Sequence, residues 1–314
     1  MGKAFVFPGQ GSQTVGMGKD WHDNFESARL VFEEVDETLR LSLSKIIFEG
    51  PDDALTLTEN AQPAIMATSI AIFRTLQKEV GLDLAKAAQY VAGHSLGEYT
   101  ALAASGALSL ADTANLLKQR GQAMQKAVPV GEGAMAAILG LEMDDVTAVA
   151  EEAMSQGDVC AVANDNSPGQ VVISGSKDAV ERAAELAKEK GAKRALLLPV
   201  SAPFHCELMQ PAADVMAANL QTTSIQQPVV PLIANVTAEA VTDPERIRAL
   251  LVEQVTGRVR WRESVAYMKE QGVSETVEIG VGKVLTGLTR RNDRELAATC
   301  IANVDDLDAY AKAA

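Results

Sequence analysis

Gly93-His94-Ser95-Leu96-Gly97 is a Gly-x-Ser-x-Gly pentapeptide set between an apolar run, Ala87 to Ala92, and a helix-prone one, Tyr99 to Ser105. Strand, glycine-flanked serine, then helix is the layout of a nucleophile elbow. The turn strains the serine backbone, and the two glycines let strand and helix close up while the hydroxyl projects into open space. The amide of Leu96 points to the same place from the start of the helix, where a free N–H and the positive end of the helix dipole suit a developing oxyanion. The competing reading is an ordinary glycine-rich turn from strand to helix.

A serine nucleophile needs a base, and the chain has three histidines. His22 lies in the polar segment Asp20 to Asn24 and reads as a solvated surface residue. His94 directly precedes Ser95, so a sharp turn sends its ring away from the hydroxyl, either to line the pocket or, by preference, into a supporting or packing role. His205 remains, at what reads as a helix start, where the dipole disfavours the imidazolium and keeps the ring able to accept a proton. A cap or packing histidine is its alternative. The base in turn needs an orienter, which in a serine hydrolase is an Asp or Glu between nucleophile and histidine in the chain. The acids in that interval fall mostly in a separate α/β segment or on exposed helices, and none stands out. A backbone carbonyl can serve instead, and the last carbonyls of the helix predicted over Pro244 to Gln254 lack intrahelical partners.

A cation joins these groups. Ser109 and Asp112 open a helix in the manner of a capping box, and the helix runs to about Val128. On it Leu117, Arg120, Met124 and Ala127 share one face by three- and four-residue spacing. Either Arg120 extends its head group to solvent, or it is held in a cleft for a carboxylate, where its planar fork gives two parallel hydrogen bonds.

These groups must be carried by a fold. The first strand, Ala4 to Phe7, breaks at Pro8-Gly9-Gln10-Gly11-Ser12, a loop that lacks both the third glycine of a dinucleotide fingerprint and the lysine of a phosphate loop. Helices are predicted over Phe25 to Leu39 and over Ala64 to Lys78 after Pro63. From Gly133 to Pro199 the pattern is β-α-β-β-α-β, with Asn166-Ser167-Pro168-Gly169 as the turn between the central strands, which matches a ferredoxin-like unit. A helix from about His205 to Leu220, a strand over Val229 to Val236, the Pro244 helix, a last strand over Thr276 to Ile279 and a helix toward Arg291 follow. The expected class is α/β: a mainly parallel, hydrolase-like core with an inserted ferredoxin-like small domain. Residues 1–129 and 200–314 form the large discontinuous domain and 130–199 the small one.

Composition narrows the setting. At 47% hydrophobic and 22% charged the 314 residues are typical of a soluble globular protein. No apolar stretch is long enough to span a bilayer and no signal-peptide layout opens the chain, so neither membrane nor export is expected and the location predicted is cytoplasmic. Three cysteines, Cys160, Cys206 and Cys300, suggest neither a disulfide framework nor a zinc site. A net charge of -14 argues against nucleic acid as a partner, and an acidic protein partner would need a local basic patch.

Phe5-Val6-Phe7-Pro8-Gly9-Gln10-Gly11-Ser12-Gln13, Gly93-His94-Ser95-Leu96-Gly97-Glu98-Tyr99, Arg120-Gly121, Asn166-Ser167-Pro168-Gly169-Gln170, Phe204-His205 and Gly282-Lys283-Val284-Leu285 together resemble the malonyl-CoA:acyl-carrier-protein transacylases of bacterial fatty acid synthesis. The six motifs fall in the family's order from Ala4 to about Arg291, with Val281 where many relatives have proline. The resemblance implies Ser95 as nucleophile, His205 as general base and acid, and an oxyanion hole from the amides of Leu96 and Gln10. It implies that the main-chain carbonyl of Gln254 orients His205, that Arg120 clamps the malonyl carboxylate, and that Gln62, Met124, Asn166 and Phe204 line the site. Malonyl-CoA and acyl carrier protein would be the partners, with no metal and no tightly bound cofactor. A serine thioesterase or esterase of hydrolase type shares the elbow and is the alternative, and a silent acyl-binding protein is a third.

Overall fold

A computed structural model describes residues 2–200 and 202–313; Met1, Ser201 and Ala314, at the domain limits and in the returning segment of the sequence reading, lie outside them. The described residues hold ten strands: β1 Gly2–Phe7, β2 Tyr90–Gly93, β3 Gly133–Leu139, β4 Cys160–Ser167, β5 Gln170–Ser176, β6 Arg194–Leu197, β7 Leu232–Ile233, β8 Ala240–Val241, β9 Val273–Ile279 and β10 Ala297–Ile301. Six form one sheet in the order β10-β9-β1-β2-β7-β8, parallel throughout except for the antiparallel β7–β8 pair. The other four form a separate antiparallel sheet in the order β4-β5-β3-β6.

The centre of the large sheet is buried on both faces, as a parallel sheet covered by helices must be. Along β1 the side chains alternate: Phe5 and Phe7 enter the large core packed by helix Thr58–Glu79, while Ala4 and Val6 enter a second core with Trp261, Val265 and Met268. The small sheet has its own core, in which Ile138 and Ile173 meet Val149 of helix Met143–Ala153 and Val180 of helix Lys177–Glu189. Val259 joins the two, since its N–H donates to the carbonyl of Ala163 and its carbonyl accepts from Asp165 N–H. No helix among the described residues is long and apolar enough to cross a membrane.

Several boundaries differ from the sequence expectation. Helix Thr58–Glu79 starts six residues before Ala64 and carries Pro63 inside it. Packing overrides the proline there: helix Leu110–Ala127 crosses at Gly121, where a Cβ would sit 2.5 Å from Glu59 Cα and 2.7 Å from Thr58 O. The strand expected over Val229 to Val236 shrinks to β7, because the chain turns at Ala234 to Ala238 and Asn235 is committed to the elbow, as described below. The strand before the elbow begins only at Tyr90, after a short helix, Leu84–Ala87, capped by the Asp83 side chain. His205 does not open an α-helix. It stands at φ +60° in a turn, followed by a 3-10 turn, Glu207–Met209, and helix Gln210–Thr222.

Candidate active site

Ser95 sits between β2 and helix Leu96–Ala104 at φ 53° and ψ -110°, the strained backbone expected of the elbow. Its glycines are required by contact: a Cβ on Gly93 would lie 1.9 Å from Gly97 C, and one on Gly97 would lie 2.2 Å from Phe7 O. The same close approach seats the loop carrying Gln10 beside the serine. Asn235, reached from the end of β7, fixes the turn by accepting from Ser95 N–H at 2.8 Å and donating to Gly93 O at 2.7 Å. Nothing in its sequence surroundings marks it.

Ser95 Oγ is 2.8 Å from His205 Nε2. On the far side of the ring Nδ1 faces two carbonyls, Gln254 O at 2.9 Å and Gly257 O at 3.1 Å. Both can only accept, so the ring proton belongs on Nδ1 and Nε2 is left to accept from the hydroxyl. Burial first, and then the charge of Arg120, push the His205 pKa down to about 3 against those two carbonyl bonds. The ring is therefore neutral, as the sequence suggested, but through burial and a neighbouring cation; the dipole of helix Gln210–Thr222 begins five residues later.

Arg120 is 1% exposed, which excludes extension to solvent. Nη1 donates to Gln62 Oε1 at 2.8 Å, while Nη2 donates to Gln254 Oε1 at 2.8 Å and to Ser95 Oγ at 3.1 Å. The guanidinium carbon lies 5.7 Å from the Tyr99 ring centre, and burial lowers the arginine pKa from its usual value. Gln62, Met124 and Phe204 line a cavity of about 600 Å³ together with Ser95, His205, Arg120, Gln10 and Leu96. Gln62 is held toward Met124, its Nε2 at 3.7 Å from the sulfur. Asn166 is not among the lining residues. It reaches the site through His94, Oδ1 to Nε2 at 2.8 Å, and Asn164 lines the cavity instead, because register shifts along β4 alter which side chains face it.

His94 turns its ring against Asn166, 5.7 Å from the Trp261 ring, and still lines the cavity, so it both supports and borders the site. His22 is far from the site but half-buried, stacked near Phe32 and Phe48 rather than fully solvated.

Besides Asn235, two features escaped the sequence reading. Gln254 acts through its side chain as well as its carbonyl: the buried amide nitrogen donates to Ser95 O at 3.0 Å and to Glu98 Oε2 at 2.9 Å. Glu98 is itself buried, and its Oε2 also accepts from Asn235 N–H at 3.0 Å. Its signal was present, since it is the one charged residue in an otherwise apolar helix, LGEYTALAA. Burial raises the Glu98 pKa to about 7, against the Gln254 and Asn235 hydrogen bonds and the charge of Arg120. A carboxyl raised on folding contributes stability that is present below its unfolded pKa and lost as pH rises through the folded one. Glu98→Gln should thus gain thermal stability over the parent at pH 8 but little at pH 4.5; an equal difference in melting temperature at both pH values would contradict a carboxylate forced into burial.

An acyl group entering this cavity would meet a serine hydroxyl, a neutral acceptor and a fixed cation, and enzymes that pass acyl groups through a serine are built on such a pair. The family model of the acyl transferase domain matches residues 4–306. The chain belongs to the acyl transferase family, among the malonyl CoA-acyl carrier protein transacylases. It is 46% identical over 305 residues to the malonyl CoA-acyl carrier protein transacylase of Bacillus subtilis, covering 97% of this chain and 95% of that protein. The crystal structure of acyl-carrier-protein S-malonyltransferase from Bartonella henselae superposes with a TM-score of 0.97 at 56% identity, covering 100% of this chain and 99% of that one. A malonyl-transacylase in complex with its type II PKS acyl-carrier protein superposes with a TM-score of 0.96 at 41% identity over the whole of both chains.

Proposed function

We propose that this protein transfers malonyl from malonyl-CoA to the phosphopantetheine thiol of acyl carrier protein through an acyl-enzyme on Ser95. The observation that carries the reading is that one hydroxyl, Ser95 Oγ, lies within 2.8 Å of a neutral histidine nitrogen and 3.1 Å of a buried arginine. Near-full-length relatives that are transacylases support it. In acylation Ser95 Oγ bonds to the thioester carbonyl carbon, its proton passes to His205 Nε2, and the carbon–sulfur bond breaks as that proton reaches the departing coenzyme A sulfur. The amides of Leu96 and Gln10 receive the oxyanion, and the Gln254 carbonyl holds His205 in the accepting tautomer. Deacylation repeats the steps with the carrier thiol as nucleophile. The malonyl carboxylate pairs with Arg120, with Gln62, Met124 and Phe204 around it; Asn166 supports His94 from behind.

The architecture that serves this chemistry reads as a hydrolase-like core, residues 1–129 and 200–314, with a ferredoxin-like domain over 130–199. The β-α-β-β-α-β order and the strand order β4-β5-β3-β6 support the second part. A cytoplasmic location goes with this reading and with three unpaired cysteines.

Intact mass after mixing with malonyl-CoA tests the reaction. An adduct on Ser95 that is discharged by carrier protein and not by buffer is the expected result. Loss in buffer alone would make the protein a thioesterase, and no adduct would leave an acyl-binding protein. Arg120→Ala should then narrow the preference for malonyl over acetyl by about 2 to 4 kcal/mol, the scale of a desolvated charge pair. Competing-substrate assays check this, and unchanged selectivity would remove the carboxylate from Arg120.

A further inference from the structure

The resting site disarms its own nucleophile. Ser95 Oγ gives its proton toward His205 Nε2 while accepting a hydrogen bond from Arg120 Nη2, so a cation holds one of its two lone pairs and draws electron density from the oxygen that must attack a carbonyl. The charge of the same guanidinium is a principal cause, after burial, of the weak basicity of His205. Its other partners are the neutral amide oxygens of Gln62 and Gln254. Among the described residues no carboxylate stands in ion-pair contact with Arg120; Glu98 acts on it through space and is joined to it by the Gln254 amide. A buried cation without a counter-charge in contact is costly, and a ligand that brings one relieves the cost.

We propose that Arg120 gates the nucleophile: the carboxylate of the arriving acyl group takes Nη2 from Ser95, freeing the hydroxyl and cancelling the charge that faces His205. An acyl group without a carboxylate meets the pair still disarmed. This rests on the transfer reading above and adds to it. Recognition by grip alone stabilises ground state and transition state alike and shows in KM, whereas a gate shows in the rate of the acylation step at saturation.

The test uses the wild-type protein in rapid-quench acylation by malonyl-CoA and by acetyl-CoA, read by intact mass, with sodium formate added at ionic strength matched by sodium chloride. Formate supplies in trans the carboxylate that acetyl lacks. It should speed saturating acetylation by about tenfold or more, the scale of releasing one hydrogen bond to a charged group, and slow malonylation by competition. Arg120→Gln should lose the acceleration. Indifference or inhibition by formate toward acetylation, acceleration that persists in Arg120→Gln, or a malonyl preference that resides in KM with equal saturating rates would each overturn the gate. A malonyl adduct with any of these results leaves the transfer reading standing; no malonyl adduct at all is the failure of that reading.

Discussion

Ser95→Ala should abolish acylation by malonyl-CoA, a loss of roughly ten-thousandfold or more, with the fold intact. The substitution removes one oxygen and no core volume. Alanine inherits the φ of 53° at no greater strain than serine, and the turn keeps its bonds to Asn235, which run through the backbone amide and Gly93 O. Arg120 loses one acceptor but keeps Gln62 and Gln254. Thermal denaturation should change little, while intact mass after malonyl-CoA shows no added malonyl. Persistent labelling of a folded Ser95→Ala protein would move the nucleophile to another residue.

The elbow was legible because its physics is local: glycine spacing, an apolar run before and a helix after are all within nineteen residues. The small antiparallel sheet was legible for a related reason, since alternating short elements each announce themselves by period. Choosing His205 was elimination among three histidines; its neutrality was right for a wrong cause, because burial and a charge brought from 85 residues earlier are tertiary facts. Pro63 inside a helix and the shortened β7 are the same lesson, local preference losing to packing at Gly121 and to the commitment of Asn235. Arg120 stood between two readings that only exposure could separate. Glu98 and the Gln254 side chain could not be placed, because their partners come from elements 134 to 159 residues away in sequence.

His205→Ala should cost acylation as much as the loss of the serine, roughly ten-thousandfold, because among the described residues the other hydrogen-bond partner of Ser95 Oγ is a cation that cannot accept. Gln254→Ala separates the two jobs of that residue. It keeps the carbonyl that accepts from His205 Nδ1, and the Gly257 carbonyl backs it up, so the histidine stays oriented. It removes the amide that joins Arg120, the Ser95 carbonyl and Glu98, leaving a buried guanidinium nitrogen with the serine alone. A role for the carbonyl alone would make alanine here mild; the buried amide argues for a loss of about tenfold to a hundredfold, the scale of stripping one partner from a buried charge. Glu98→Gln, which keeps an oxygen for Gln254 and Asn235, should stay well short of ten-thousandfold, since Glu98 makes no hydrogen bond to His205. Acylation rates of the folded variants decide it: a ten-thousandfold loss in Glu98→Gln, with Gln254→Ala near wild type, would replace the carbonyl orienter with a carboxylate and return the site to the logic of a hydrolase triad.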